Sequence, residues 1–125
     1  LSLDAIGICS KNIPESIEFY SLLGIEFKEL GGEGHYEALT RSGLRLMLDS
    51  VELLKKIDPK WTDSPGSSIV LCFKQDSVSD VDSIYESIKS AGFKVKKSPW
   101  DAFWGQRYAS IIDPNGNQID LFCDQ

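Results

Sequence analysis

Histidine occurs once in these 125 residues, and so does methionine. A single imidazole cannot by itself supply the multi-histidine ligand sets of catalytic zinc or non-haem iron. The cysteines, Cys9, Cys72 and Cys123, are odd in number, form no CxxC pair and each lie in an apolar, strand-like run. They read as structural thiols of a reducing compartment. Basic residues are in deficit: 13 Lys+Arg against 19 Asp+Glu give a net charge of −6. That balance excludes a general nucleic-acid-binding face and favours a cationic small molecule or a basic partner. No apolar run is long enough to span a bilayer, so no membrane partner is expected. No leader pattern is legible from Leu1 onward, and a cytoplasmic location is the expectation. GxSxG, HExxH, P-loop and GxGxxG motifs are all missing.

What is present is a repeated pattern. Leu3 to Cys9 is an apolar strand. "NIPESIEFYSLLG" follows as a helix, with Asn12 and Glu15 at capping spacing, Pro14 in the first turn, Ile17, Tyr20 and Leu23 inward, and Gly24 as the stop. "IEFKEL" is a strand, and "HYEALT" and "LRLMLD" form a hairpin about Ser42-Gly43. A connector over about 51–66 carries a short helix through Val51, Leu54 and Ile57, then Trp61 between Pro59 and Pro65. The order then restarts: "SIVLCFK" is a strand, and "SVSDVDSIYESIKSAG" an amphipathic helix with Val81, Ile84, Tyr85 and Ile88 inward. "FKVKKS" and the two strands of "WGQRYASIIDPNGNQIDLF" complete it. Gly24 and Gly92 mark matching helix ends about 70 residues apart. The reading is one α+β domain over 1–125, with module one at about 1–50 and module two at about 67–125.

Tandem βαβββ modules resemble the vicinal oxygen chelate superfamily, which includes glyoxalase I, extradiol dioxygenases and bleomycin-resistance proteins. The most specific stretches are "NIPESIEFYSLLGIEF" and "WGQRYASIIDPNGNQIDLF". The second resembles the "WG…DP-x-GN" signature of the bleomycin-resistance-like branch. The resemblance implies a curved, cup-like mixed sheet with helices outside, and a homodimer. In metal-dependent members, ligands come from the first and fourth strands of each module. By alignment those positions here hold Ala5, Met47, Val70 and Asp120. Only the last can ligate a hard cation, so the expectation is no metal and no cofactor.

Strand alternation then predicts which side chains face the cup. Asp113-Pro114-Asn115-Gly116 suits a type I turn, which places Ser110 opposite Asp120 and Tyr108 opposite Phe122. A two-residue turn at Ser42-Gly43 would pair Ala38 with Met47. It would turn Tyr36 into the cup with Arg45 and Met47 on neighbouring strand positions, and His35 and Glu37 outward. Pro99 to Gly105 reads as a loop, crowded with Trp100, Phe103 and Trp104. Indole faces attract cations and stack on planar rings, and Asp101 and Asp120 would add negative charge. The expected ligand-binding set is therefore Tyr36, Arg45, Met47, Trp100, Phe103, Trp104, Tyr108 and Asp120. It would serve a metal-free protein that sequesters a planar, cationic small molecule, as in antibiotic resistance. The alternatives are a metal-dependent lyase or dioxygenase, and a dimer with a vestigial cavity.

Overall fold

A computed structural model describes residues 2–62 and 69–125. The chain divides into two compact units, Leu1–Asp63 and Ser64–Gln125. In the first, the order is β1 (Ala5–Ser10), α1 (Ile13–Ser21), β2 (Lys28–Glu29), β3 (His35–Leu39), β4 (Arg45–Ser50) and α2 (Val51–Ile57). In the second it is β5 (Leu71–Lys74), α3 (Val78–Ser90), β6 (Val95–Ala102), β7 (Gln106–Ile112) and β8 (Gln118–Asp124). Each unit holds a four-stranded mixed sheet, ordered β1-β4-β3-β2 and β5-β8-β7-β6. The parallel pairs are β1 with β4 and β5 with β8. The α+β, twice-repeated βαβββ reading is what the structure contains. Ser68, expected to open the fifth strand, and Pro65 of the connector lie outside the described residues. The strand itself begins at Leu71, so Ile69 and Val70 precede it and are exposed.

Local chemistry accounts for the helices. The side chain of Asn12 accepts the Glu15 N–H at 3.1 Å. Ser50 and Ser77 do the same for Leu53 and Asp80 at the starts of α2 and α3. Such caps each contribute about 1 kcal/mol by satisfying orphan donors. The inward face of α1 differs from the expected spacing: Phe19 and Tyr20 are fully buried, whereas Ile17 is only half-buried. On α3, Val81, Tyr85 and Ile88 are buried against the second sheet, whose Ala109, Ile111, Ile119 and Leu121 are wholly covered. Arg107 joins this face to the helix through a two-pronged bond to Asp82 at 3.0 and 3.2 Å.

Two strand readings are corrected. "IEFKEL" contributes only Lys28–Glu29 to the sheet. The β3–β4 register is displaced by one residue: Glu37, not Ala38, pairs with Met47, and Ala38 pairs with Leu46. The cause is the turn. Thr40 N–H donates to the Leu44 carbonyl and Gly43 N–H to the Thr40 carbonyl, so the loop is Arg41 to Gly43, with Gly43 at φ +91°. A type I turn closed by a left-handed glycine adds one residue to the two-residue hairpin expected. A one-residue slip exchanges the faces of a strand. His35 and Glu37 therefore share a face with Arg45, Met47 and Asp49, and Tyr36 joins Leu46 and Leu48 on the helix-covered side.

Candidate functional site

On the first unit's sheet the exchanged face carries a chain of charges. His35 Nε2 is hydrogen-bonded to Glu37 at 2.7 Å and Nδ1 to Asp49. A carboxylate at each ring nitrogen favours the imidazolium, the form that donates from both. Asp49 first, and Glu37 second, hold its pKa above the usual histidine value. The same Glu37 accepts from Arg45 at 2.9 Å, and Arg45 donates onward to Asp4 at 2.9 Å. Arg45, then His35, hold the Glu37 carboxyl below its usual range. Gly7 stands directly across from Met47, whose Cε methyl lies 3.6 Å from where a Cβ on Gly7 would be.

The β7–β8 hairpin of the second unit has the expected register. Asp113 N–H donates to the Asn117 carbonyl at 2.8 Å, Ser110 lies opposite Asp120, and Tyr108 lies opposite Phe122. Asp120 is 7% exposed, which places it inside the protein rather than on a solvated outer face. Its carboxylate accepts from Tyr108 Oη at 2.6 Å, Ser110 Oγ at 2.8 Å and Gln118 Nε2 at 2.9 Å. Three donors leave little of this anion for a direct ligand contact. Burial, followed by the hydrogen bond to Asp120 and then that residue's charge, pushes the Tyr108 phenol well above its ordinary pKa, so it remains a donor.

Beside this pair the sheet face is aromatic. Trp100 pairs with Tyr108, and Tyr108 stacks on Phe122 at 6.3 Å between centroids. Trp104 meets Trp100, Phe103 and Tyr108 edge-on at 5.5, 4.9 and 5.4 Å. The expected Pro99–Gly105 loop is instead mostly strand: β6 runs to Ala102, and only Phe103, Trp104 and Gly105 form the turn. Pro99 is tolerated because β6 is an edge strand, where a missing N–H breaks no ladder. Asp101 is turned to the other face, opposite Arg107, and adds no charge to the aromatic group. Cys72, across from Asp120, is an exposed residue, and partial desolvation of its thiol, followed by the Asp120 charge, raises its pKa. Lys97 Nζ lies 3.9 Å from the centre of the Trp100 ring.

Of the residues expected to bind ligand, Trp100, Trp104, Tyr108 and Asp120 are brought together on the second sheet. Phe103 reaches them only through Trp104 and is 92% exposed. Arg45 and Met47 stand on the first unit's sheet, Arg45 engaged by Glu37 and Asp4; Tyr36 is on that sheet's opposite face. Lys97, and the His35–Glu37–Asp49 chain, were not anticipated. An open groove of about 410 Å³ lined by Lys11, Val51, Lys55, Trp61 and Thr62 involves none of these groups.

The positions that would hold a metal in such folds do not fit one. Ala5 offers no donor, Met47 only a thioether, Val70 nothing, and the Asp120 oxygens are engaged internally. Both nitrogens of His35 are likewise committed to carboxylates. Among the described residues no group of three or more His, Cys, Asp or Glu side chains is arranged to hold an ion. No helix among them is long and apolar enough to cross a membrane.

No curated protein matches the chain. Solved structures do, and at these low identities they speak to the fold. A glyoxalase/bleomycin resistance protein/dioxygenase family enzyme from Burkholderia phytofirmans PsJN superposes with a TM-score of 0.86 at 17% identity, over 100% of both chains. A glyoxalase-related enzyme from Fulvimarina pelagi gives 0.84 at 17% identity, covering 98% of this chain and 88% of its own. A possible glyoxalase from Bacillus cereus gives 0.72 at 20% identity, covering 98% and 99%. The sequence profile of one family spans residues 2–121, which takes in both βαβββ units except the last residues of β8, and the chain belongs to that family, the Glyoxalase/Bleomycin resistance protein/Dioxygenase superfamily.

Proposed function

We propose that the protein binds a planar, cationic small molecule on the aromatic face of its second sheet and sequesters it without transforming it, in the manner of the bleomycin-resistance-like branch. The observation that carries this is the ammonium of Lys97 on the Trp100 ring: the face already accommodates a cation. Trp104 edge-on, Tyr108 and Phe122 extend the surface to a size suited to fused rings. Desolvated cation–π contacts reach about 2 kcal/mol, and rigid rings give contact area at low entropic cost. Asp120, bonded to Tyr108 on the same face, adds negative potential beside the rings. The donor set argues for binding that requires no metal.

The homodimer and a cytoplasmic setting are part of the same proposal. So is a role in sequestering a toxic compound, with housekeeping capture of a metabolite as its competitor. The test is a thermal-shift and tryptophan-fluorescence screen against aromatic cations and their neutral isosteres. Ligand that binds only the folded state raises the midpoint, by about 2.7 kcal/mol of stabilisation at a hundredfold excess over Kd. A preference for cations, with tryptophan quenching, supports the reading. Equal response to neutral isosteres, or none to any cation, sinks it. Trp104→Ala separates the two uses of these rings. Lost affinity with an unchanged sedimentation coefficient assigns them to the ligand, and conversion of dimer to monomer without loss of affinity assigns them to a subunit contact.

A further inference from the structure

The geometry points to Lys97 as an internal occupant of the cation position, a side chain that a ligand must displace from Trp100 before binding; this rests on the functional reading above. Lys97 and Trp100 are three residues apart. In an uninterrupted strand that spacing puts two side chains on opposite faces. Here they are on the same face, because β6 is irregular on both sides of Lys97. Val95 pairs with Ile111 and Lys97 with Ser110, so two steps along β6 match one along β7; Lys97 to Trp100 then spans three steps against the two from Ser110 to Tyr108. The second extra residue is what rotates Lys97 onto the face of Trp100, Tyr108 and Ser110. Bulges of this kind re-aim side chains and collect beside functional sites.

The consequence of that re-aiming is the contact itself, with Nζ 3.9 Å from the indole centre. Lys97 is exposed and no carboxylate among the described residues forms an ion pair with it. The ring is therefore the partner that the described structure offers its ammonium. An exposed lysine held by a ring face alone is weakly held. The Trp100 Nε1–H is shielded from solvent and has no acceptor among the described residues. That unmet donor adds a second specificity to the face: a ligand carrying both a cationic group and a nearby carbonyl or ether oxygen would satisfy what Lys97 cannot. The class assigned is thus an aromatic or quaternary ammonium cation bearing an acceptor oxygen, taken up in competition with the protein's own lysine.

The experiment uses the full chain and phenyltrimethylammonium as the probe, with calorimetric titration of the unaltered protein, Lys97→Ala and Lys97→Arg. Lys97→Ala frees the ring and should tighten probe binding about tenfold. Lys97→Arg keeps a cation on the indole and should leave affinity at or below that of the unaltered protein. Thermal midpoints check that each variant is folded. If Lys97→Ala binds no tighter than the unaltered protein, the occupant idea fails while the cation face stands. If it binds more weakly, Lys97 is part of the binding wall and the idea also fails. If neither binds the probe at millimolar concentration, the cation-binding reading falls, and this inference with it.

Discussion

Replacing Asp120 by asparagine tests whether this carboxylate is an anchor of the hairpin or a ligand contact. It accepts three side-chain donors within 2.6–2.9 Å and is 7% exposed. Hydrogen bonds to a charged acceptor contribute about 1.5–3 kcal/mol each, neutral ones about 1. The amide keeps one acceptor oxygen and presents an NH₂ at the other position. Its least costly placement gives the oxygen to Ser110 and Gln118 and turns the NH₂ toward Tyr108, whose hydroxyl must then accept instead of donate. Three bonds lose their charge assistance and one reverses. Because donors sharing one acceptor do not add independently, a loss of about 2–3 kcal/mol is expected. For a domain of this length that is a fall of about 8–12 °C in Tm. Urea unfolding at pH 7, followed by tryptophan emission, measures it, and Tyr108→Phe alone should cost about half as much. A stability change below about 0.5 kcal/mol, together with loss of cation binding, would refute the anchor assignment.

Three further outcomes are expected. The folded pKa of His35 is raised, so its stabilisation is full below the unfolded value of about 6.5 and is lost as pH rises through the folded value. Stability measured from pH 5.5 to 9 should therefore decline on the alkaline side, and His35→Leu should remove that part of the slope; an identical slope in the variant would show that other groups cause it. Gly34 has φ +91°, and a Cβ there would strike the Ser50 side chain that caps α2, so Gly34→Ala should cost about 2–4 kcal/mol in urea unfolding. Arg107→Met removes the bond to Asp82, which is half exposed; the loss should be about 1 kcal/mol or less and should shrink in 1 M salt, and an effect unaltered by salt would mean packing of the arginine stem matters more.

The two hairpins show what a sequence makes legible. At Asp113-Pro114-Asn115-Gly116 every turn position holds a residue with a reason to be there. Asp113 Oδ1 accepts from Asn115 and Asn117, and the register follows. Thr40-Arg41-Ser42-Gly43 has only its glycine, which fits the two-residue and the three-residue loop alike. The difference of one residue decides whether His35 and Glu37 meet solvent or Asp49 and Arg45. Aligning Gly43 with Gly116 lays His35 on Tyr108, Glu37 on Ser110 and Met47 on Asp120, so both units place their polar groups at equivalent points. That correspondence was available from the repeat. Strand β6 was less legible, since Pro99 argues against a strand unless the strand is known to be at an edge, and irregular pairing leaves no mark in hydrophobic alternation. The aromatic cluster was found by composition, whereas its lysine depended on geometry that alternation misassigns.

The same irregular edge has a bearing on how chains avoid one another. An exposed strand with a continuous row of N–H and C=O groups is a template for a strand of another molecule, and runaway addition of this kind leads to fibrils. Along β6 the row is broken at two register shifts and lacks a donor at Pro99, while Lys96 and Lys97 place positive charge beside it. An incoming strand would find neither matched spacing nor a flat approach. The irregularity that aims a side chain at an indole thus also caps the sheet, and an attempt to straighten β6 for tighter pairing would trade solubility for regularity.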